Sequence, residues 1–214
     1  MWSGMKEGGP LAEQDVLWQS FANAGRAGIE IDALMLALRD ILADGGLGTL
    51  RIDVDSEYEA NLETDQGWTV GYSLYGYKLI PARGRSANRG WVTFGVSLWR
   101  EEDERGTGWD GAQISKLYVA YWPPKGDGWT TDNLVVDGTG QSIDTERHTA
   151  WRWRGVGPGC LPEAWFFCVR LLALQSRADL DREISTPLRL LLEQQSDERA
   201  FAQSISVLNT PAIT

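Results

Sequence analysis

The sequence predicts an α+β fold: an antiparallel β-meander of about five to seven strands, with two helices before it and C-terminal helices packed on one face. Three observations predict it. Apolar residues recur at helical spacing near both ends of the chain. Between those ends the hydrophobic period changes from about 3.6 to about 2. The strand-like runs also follow one another through turns, with no helical stretch between them, which favours antiparallel neighbours over a parallel sheet.

Residues 1–10 are polar and glycine-rich and read as a disordered tail. A single α+β domain is expected over residues 11–208: helical over 11–45, sheet over 49–154, and helical again over 161–208, with a second tail at 209–214. In the first helix, over 11–27, Leu17, Trp18, Phe21 and Ala24 recur at helical spacing. Asp32 can cap the second, whose stripe is Ile31, Leu34, Leu38, Ile41 and Leu42, and Gly45-Gly46 ends it. Residues 49–63 form one long strand or a hairpin near Ser56. Strands follow over 68–79, 91–99 and 113–122, the last stopped by Pro123-Pro124 because proline cannot donate to a ladder. Shorter candidates cover 133–136 and 148–154. Pro162 suits a first helical turn, and Trp165, Phe166, Val169, Leu172 and Ala173 would give that helix an apolar face. Another helix starts at Thr186-Pro187 and carries Leu188, Leu191 and Leu192; a shorter one covers 198–208.

Charge narrows the function classes. With a net charge of −10 over 214 residues, phosphate neutralisation is poorly served, so neither nucleic acid nor anionic lipid is an expected partner. Such a chain attracts basic surfaces at long range. Eleven tryptophans exceed ordinary usage, and their amphipathic rings serve cores and recognition surfaces alike. Cys160 and Cys168 sit too far apart on the expected helix for a disulfide, and no Cys/His cluster suggests zinc. No metal or cofactor is expected. The amino terminus lacks a signal-peptide pattern and no apolar run is long enough to span a bilayer, so a cytoplasmic location is expected.

The most informative local pattern is an alternation of charge and apolar residues. Asp53, Asp55, Glu57, Glu59 and Glu63 occupy odd positions while Ile52, Val54, Tyr58 and Leu62 occupy even ones, which puts one row of carboxylates on one strand face. Such a row can dock a basic partner, can be a solvated face that discourages edge-to-edge pairing, or can hold a metal. The metal option fits least, because the acids spread along an extended segment with no glycine turn. A basic loop, with Lys78, Arg83, Arg85 and Arg89, contains no acid.

The strand over 91–99 has a core face of Val92, Phe94, Val96 and Leu98 and a second face of Trp91, Thr93, Gly95, Ser97 and Trp99. In a simple register Gly71 and Ser73 extend this small-residue floor. A shallow groove rimmed by Tyr75, Tyr77, Trp91 and Trp99 would result, unless a helix covers it.

Catalytic signatures are sparse. Gly155-Val156-Gly157-Pro158-Gly159 lacks the Lys-Ser/Thr of a phosphate loop and the third glycine of a dinucleotide fingerprint. His148 is the sole histidine, so any Cys–His or Ser–His enzyme would have to use it, and Cys160, near an expected helix start, is a candidate partner. The expected function is therefore non-catalytic: an interaction protein of inhibitor, immunity-type or nucleic-acid-mimic character, binding a basic macromolecule through its acidic sheet face. The alternatives are a ligand- or peptide-binding module using the aromatic groove, and an enzyme with an unrecognised active site.

Overall fold

In a computed structural model the described residues are 9–63, 70–98, 115–124, 142–144, 150–154 and 164–207. The chain divides into two compact units, Met1–Leu36 and Ala37–Thr214.

The described part of the first unit is helical, within α1 (Gly9–Ala43), a single helix of 35 residues where the sequence pattern suggests two. Nothing in the segment forces a stop. Gly25 and Gly28 lie inside it, and an interior glycine costs only about 1 kcal/mol relative to alanine. The unit boundary falls inside this helix, so no linker composition marks it.

The second unit begins with the last turns of α1, where Leu38, Ile41 and Leu42 are buried. Seven strands follow among the described residues: β1 (Leu50–Glu63), β2 (Val70–Pro81), β3 (Trp91–Ser97), β4 (Lys116–Trp122), β5 (Ser142–Asp144), β6 (Trp151–Arg154) and β7 (Trp165–Arg170). They form one sheet in the order β1-β2-β3-β4-β7-β6-β5, and every pairing is antiparallel. The meander holds from β1 to β4; the chain then leaves, and its last strand returns to pair with β4.

That returning strand corrects the helix expected after Pro162. Its sequence, Trp-Phe-Phe-Cys-Val-Arg, is buried at every position but the last. A short apolar run rich in aromatic residues cannot be told from a helix face by periodicity when both sides are covered, and here the ladder with β4 decides. The expected strand over 133–136 lies outside the described residues.

After β7 comes a 3-10 turn (Leu171–Ala173), then α2 (Arg177–Leu180), a π-helical turn (Asp181–Ser185) and α3 (Thr186–Leu192). The side chain of Ser176 accepts from the Asp179 N–H at the start of α2, and Pro187 occupies the first turn of α3. The final helix, α4 (Asp197–Ala200), is one turn capped by Ser196, shorter than the 198–208 expectation. Beyond it the chain straightens, and Val207 bridges to Val169 of β7.

Register assigns side chains to the two sheet faces. Ile52, Leu79, Tyr77, Tyr75, Val92, Phe94, Val96, Val119, Tyr121, Phe167 and Trp165 share one face. Phe201, just past α4, meets Phe167 edge-on with ring centroids 5.2 Å apart, so the C-terminal helical segment reaches this face. The other face carries Leu74, Gly76, Thr93, Gly95, Tyr118, Ala120, Trp122, Phe166 and Cys168, and it is buried as well. A sheet covered on both sides loses the polar half of its alternation. This is why β4 reads Leu-Tyr-Val-Ala-Tyr with hardly a polar residue.

Candidate functional site

The acidic row is not one row. Asp53 pairs with Lys78, but Glu57 pairs with the very next residue of β2, Tyr77, leaving Val54, Asp55 and Ser56 outside the ladder as a bulge. Four steps along a regular strand would preserve the face, but the partner advances by only one residue, so the bulge turns β1 over. Asp53 therefore shares a face with Lys78, and Glu57 and Glu59 share the opposite face with Tyr77 and Tyr75. The Ser56 hydroxyl donates to Asp53 Oδ2 at 3.0 Å and ties the bulge together.

Glu57 is engaged rather than waiting for a partner. The Tyr77 hydroxyl donates to its Oε1 at 3.2 Å, and Arg39 Nη1 lies 3.8 Å from its Oε2. Burial, and then the Glu57 charge, push the Tyr77 hydroxyl pKa upward, so it remains a proton donor to Glu57. Asp55, Glu57 and Glu59 are exposed, and β1 is an edge strand. Glu63 pairs with Val70 at the end of the β1–β2 ladder.

The expected groove is corrected in two respects. Tyr75 and Tyr77 pair with Phe94 and Val92, on the face opposite Trp91 and Thr93, and both are buried. The floor neighbours are instead Gly76, beside Thr93, and Tyr72, beside Ser97. Thr93 and Gly95 are themselves buried, and Thr93 accepts a hydrogen bond from the Trp122 indole N–H at 3.0 Å, so this floor is covered. The simple register put odd-numbered residues of β2 beside odd-numbered residues of β3, whereas the ladder pairs odd with even. Trp99, His148 and Cys160 lie outside the described residues.

A different cleft opens at one end of the helix-bearing sheet face. Its volume is about 820 Å³, and Leu50, Pro81, Tyr121 and Trp165 contribute from four strands. Of the lining side chains, Tyr121 and Trp165 stack with ring centroids 5.5 Å apart, and Trp165 stacks in turn on the buried Phe167 at 6.4 Å. Leu191 and Leu192 at the end of α3, with Gln194 and Gln195 just beyond it, line the cleft, and so does Arg89 of the basic loop.

Two backbone features hold this lining in place. Gly90 has φ +110°, and a Cβ there would fall 2.3 Å from the Trp122 carbonyl oxygen and 2.7 Å from Tyr121 Cε2. Only glycine lets the loop come this close to β4. The Tyr121 hydroxyl can then donate to the Arg89 carbonyl at 3.2 Å. Elsewhere in the lining α3 ends with Gln195 N–H on Leu190 O at 2.9 Å and Gln194 N–H on Leu191 O at 3.0 Å, the paired bonds of a Schellman motif. The left-handed position of that motif normally belongs to glycine. Here it is Gln194, with φ +60°, the single non-glycine at positive φ among the described residues.

Glu183, in the π-helical turn, escaped the sequence reading altogether. It is fully buried. Its carboxylate accepts from the Ser206 hydroxyl at 2.7 Å, the Ser206 N–H at 3.1 Å, the Ile205 N–H at 3.2 Å, the Ser204 hydroxyl, and Arg182 Nε at 2.6 Å. Burial works against its charge. The Ser204, Arg182 and Ser206 donors outweigh it and hold the carboxyl down at about 2. This cluster clamps the C-terminal segment against the helices, and its saturation with donors suits a structural tie better than a reacting group. The sole hint in the sequence is the spacing of Ser204 and Ser206, which carries no recognisable pattern.

Cys168 is buried in β7, and burial pushes its thiol pKa up, away from nucleophilic chemistry. Among the described residues no group of three or more His, Cys, Asp or Glu side chains is arranged to hold a metal ion. No helix among them is long and apolar enough to cross a membrane. Comparison with protein-family models, curated proteins and solved structures finds no match to this chain.

Proposed function

We propose that the chain is a non-catalytic binding protein whose ligand lies in the cleft over Tyr121 and Trp165. The observation that carries this is Gln194. A residue held in the left-handed region costs about 1 kcal/mol relative to glycine, and such strain tends to persist where the side chain is used. Here the strained residue lines a cleft that Tyr121, Trp165 and Arg89 also line. The volume lies in the range of small-molecule sites, about 300–1,000 Å³.

The ligand chemistry follows from the walls. The Tyr121 and Trp165 rings offer apolar surface to a planar group, Arg89 offers a bidentate donor to a carboxylate or phosphate, and the Gln194 amide offers directional hydrogen bonds. A flat ligand bearing one anionic group satisfies all three. Ligand-observed NMR with naphthoate and its neutral counterpart naphthamide tests this. The acid binds more tightly than the amide, and Arg89→Ala removes the difference. Equal binding of both compounds, or an acid preference that survives Arg89→Ala, defeats the assignment.

A second reading has its own support: Asp55 and Glu59 are exposed along an edge strand of a chain with net charge −10. On this reading the edge docks a basic protein, as an inhibitor or immunity-type protein does. Capture on an immobilised basic protein that weakens steeply with salt and fails for Asp55→Lys, Glu59→Lys supports it. Salt-insensitive capture rejects it.

A further inference from the structure

Resting on the reading that the cleft is the ligand site, we propose that its occupant is a nucleotide with two or more phosphates, its base held by Tyr121 and Trp165 and its phosphate chain by the basic loop between β2 and β3. That loop carries Arg83, Arg85 and Arg89, with no acid between Lys78 and Gly90. All three arginines are exposed. Among the described residues none of the three forms an ion pair, whereas Arg39 and Arg182 both meet carboxylates. Lys78 belongs to the other sheet face and takes no part. Solvated arginines on a loop are ordinary; what sets these apart is where the loop begins and ends.

Both of its feet stand at the cleft, since Pro81 and Arg89 are lining residues. At the first foot the Ala82 N–H donates to the carbonyl of Thr49, itself a lining residue, at 2.9 Å. At the second, the Arg89 N–H donates to Leu79 O and the Leu79 N–H to Gly90 O, each at 2.8 Å. Arg83 follows Pro81 by two residues and Arg85 precedes Arg89 by four. Chain length alone therefore keeps their Cα atoms within about 7 Å and 14 Å of a lining residue. Three unpaired guanidinium groups thus border one recess.

The recess itself suits an anion of high charge. The chain has 30 acids, yet none is among the described lining residues, where Arg89 is the one charged side chain. Glu193, between Leu192 and Gln194, has its Oε1 against Gly48 instead, 3.0 Å from where a Cβ on that glycine would stand. A cleft lined by one sign of charge concentrates the opposite sign. Guanidinium groups are planar, permanently charged and weakly hydrated, which matches them to phosphate. A bicyclic acid would engage one arginine and fill only part of about 820 Å³. A base joined through its sugar to two or three phosphates uses the remaining volume and the remaining cations. A nucleic acid strand is a poorer occupant, because it runs on past the cleft over a chain of net charge −10.

Isothermal titration calorimetry on the full chain, in EDTA and at about 0.15 M salt to screen diffuse attraction, is the test. The probes are naphthoate, AMP, ADP, ATP and inorganic tripolyphosphate. Wild type binds ADP at least about fivefold more tightly than AMP, through the added guanidinium–phosphate bonds. ATP binds at least about tenfold more tightly than tripolyphosphate, because the base stacks on an aromatic ring. The double variant Arg83→Ala, Arg85→Ala loses the gain from AMP to ADP, and circular dichroism checks that it keeps its fold. Wild type that binds naphthoate but holds AMP, ADP and ATP alike, or holds none of them, overturns the nucleotide and leaves the cleft as a site for simpler acids. A gain from AMP to ADP that survives the double variant overturns it as well, as does tripolyphosphate binding as tightly as ATP. Wild type that binds none of the probes overturns both the nucleotide and the cleft as a ligand site.

Discussion

Replacing Glu183 by glutamine keeps size and shape but removes the charge from a fully buried carboxylate whose neighbours are all donors. The magnitude comes from linkage. A carboxyl with an ordinary value of 4.5 that is held at about 2 contributes roughly 3 kcal/mol to folding at neutral pH. Because the folded value is the lower one, this contribution is complete above about pH 4.5 and falls away as the pH drops toward about 2. Glutamine adds a penalty of its own, since its amide N–H group must face the Ser206 and Ile205 N–H groups or the Arg182 guanidinium. Urea unfolding of wild type and Glu183→Gln at neutral pH and at several values down to about pH 2 isolates the effect, because every other titrating group cancels in the difference. A gap of about 3 kcal/mol at pH 7 is expected, shrinking as the medium becomes acidic. A gap below about 1 kcal/mol, or one that stays constant with pH, refutes the donor-saturated clamp.

Gly90→Ala forces a Cβ into the Trp122 carbonyl and the Tyr121 ring and strains φ besides; a loss above about 2 kcal/mol in chemical unfolding is expected, and a loss below 0.5 kcal/mol contradicts the close approach. Gln194→Gly relieves the left-handed strain and should raise stability by roughly 0.5–1 kcal/mol while weakening naphthoate binding, a pairing of effects that ordinary surface substitutions do not give. In a Cys160→Ser background, Cys168 should resist a thiol reagent until denaturant is added; rapid labelling of the native chain contradicts its burial.

The strands from β1 to β4 were legible because each keeps a period near two or a compact apolar run bounded by turn residues. The core face of β3, Val92, Phe94 and Val96, follows from alternation alone and is buried as expected. Alternation could not reveal that β1 changes face between Asp53 and Glu57, since a bulge leaves the residue pattern intact while altering the partner strand's register. β7 was misread because burial on both sides erases the period that separates strand from helix. The cleft was invisible for another reason. Its lining joins Tyr121 to Trp165, distant in sequence, and its strained residue is a glutamine where sequence rules look for glycine. Arg89 was singled out with its loop, but nothing local tied that loop to an aromatic pair.

The pairing of β7 with β4 shapes how the polypeptide must assemble. Ribosomal synthesis delivers β1 to β4 first, and for some forty residues afterwards β4 has an empty flank of unpaired amides bordered by Leu117, Val119 and Tyr121. Completing the sheet waits for β7, a long loop closure that slows folding. During that wait the nascent chain carries its stickiest surface uncovered. Truncation before Trp165 would therefore leave an aggregating fragment rather than a smaller stable fold.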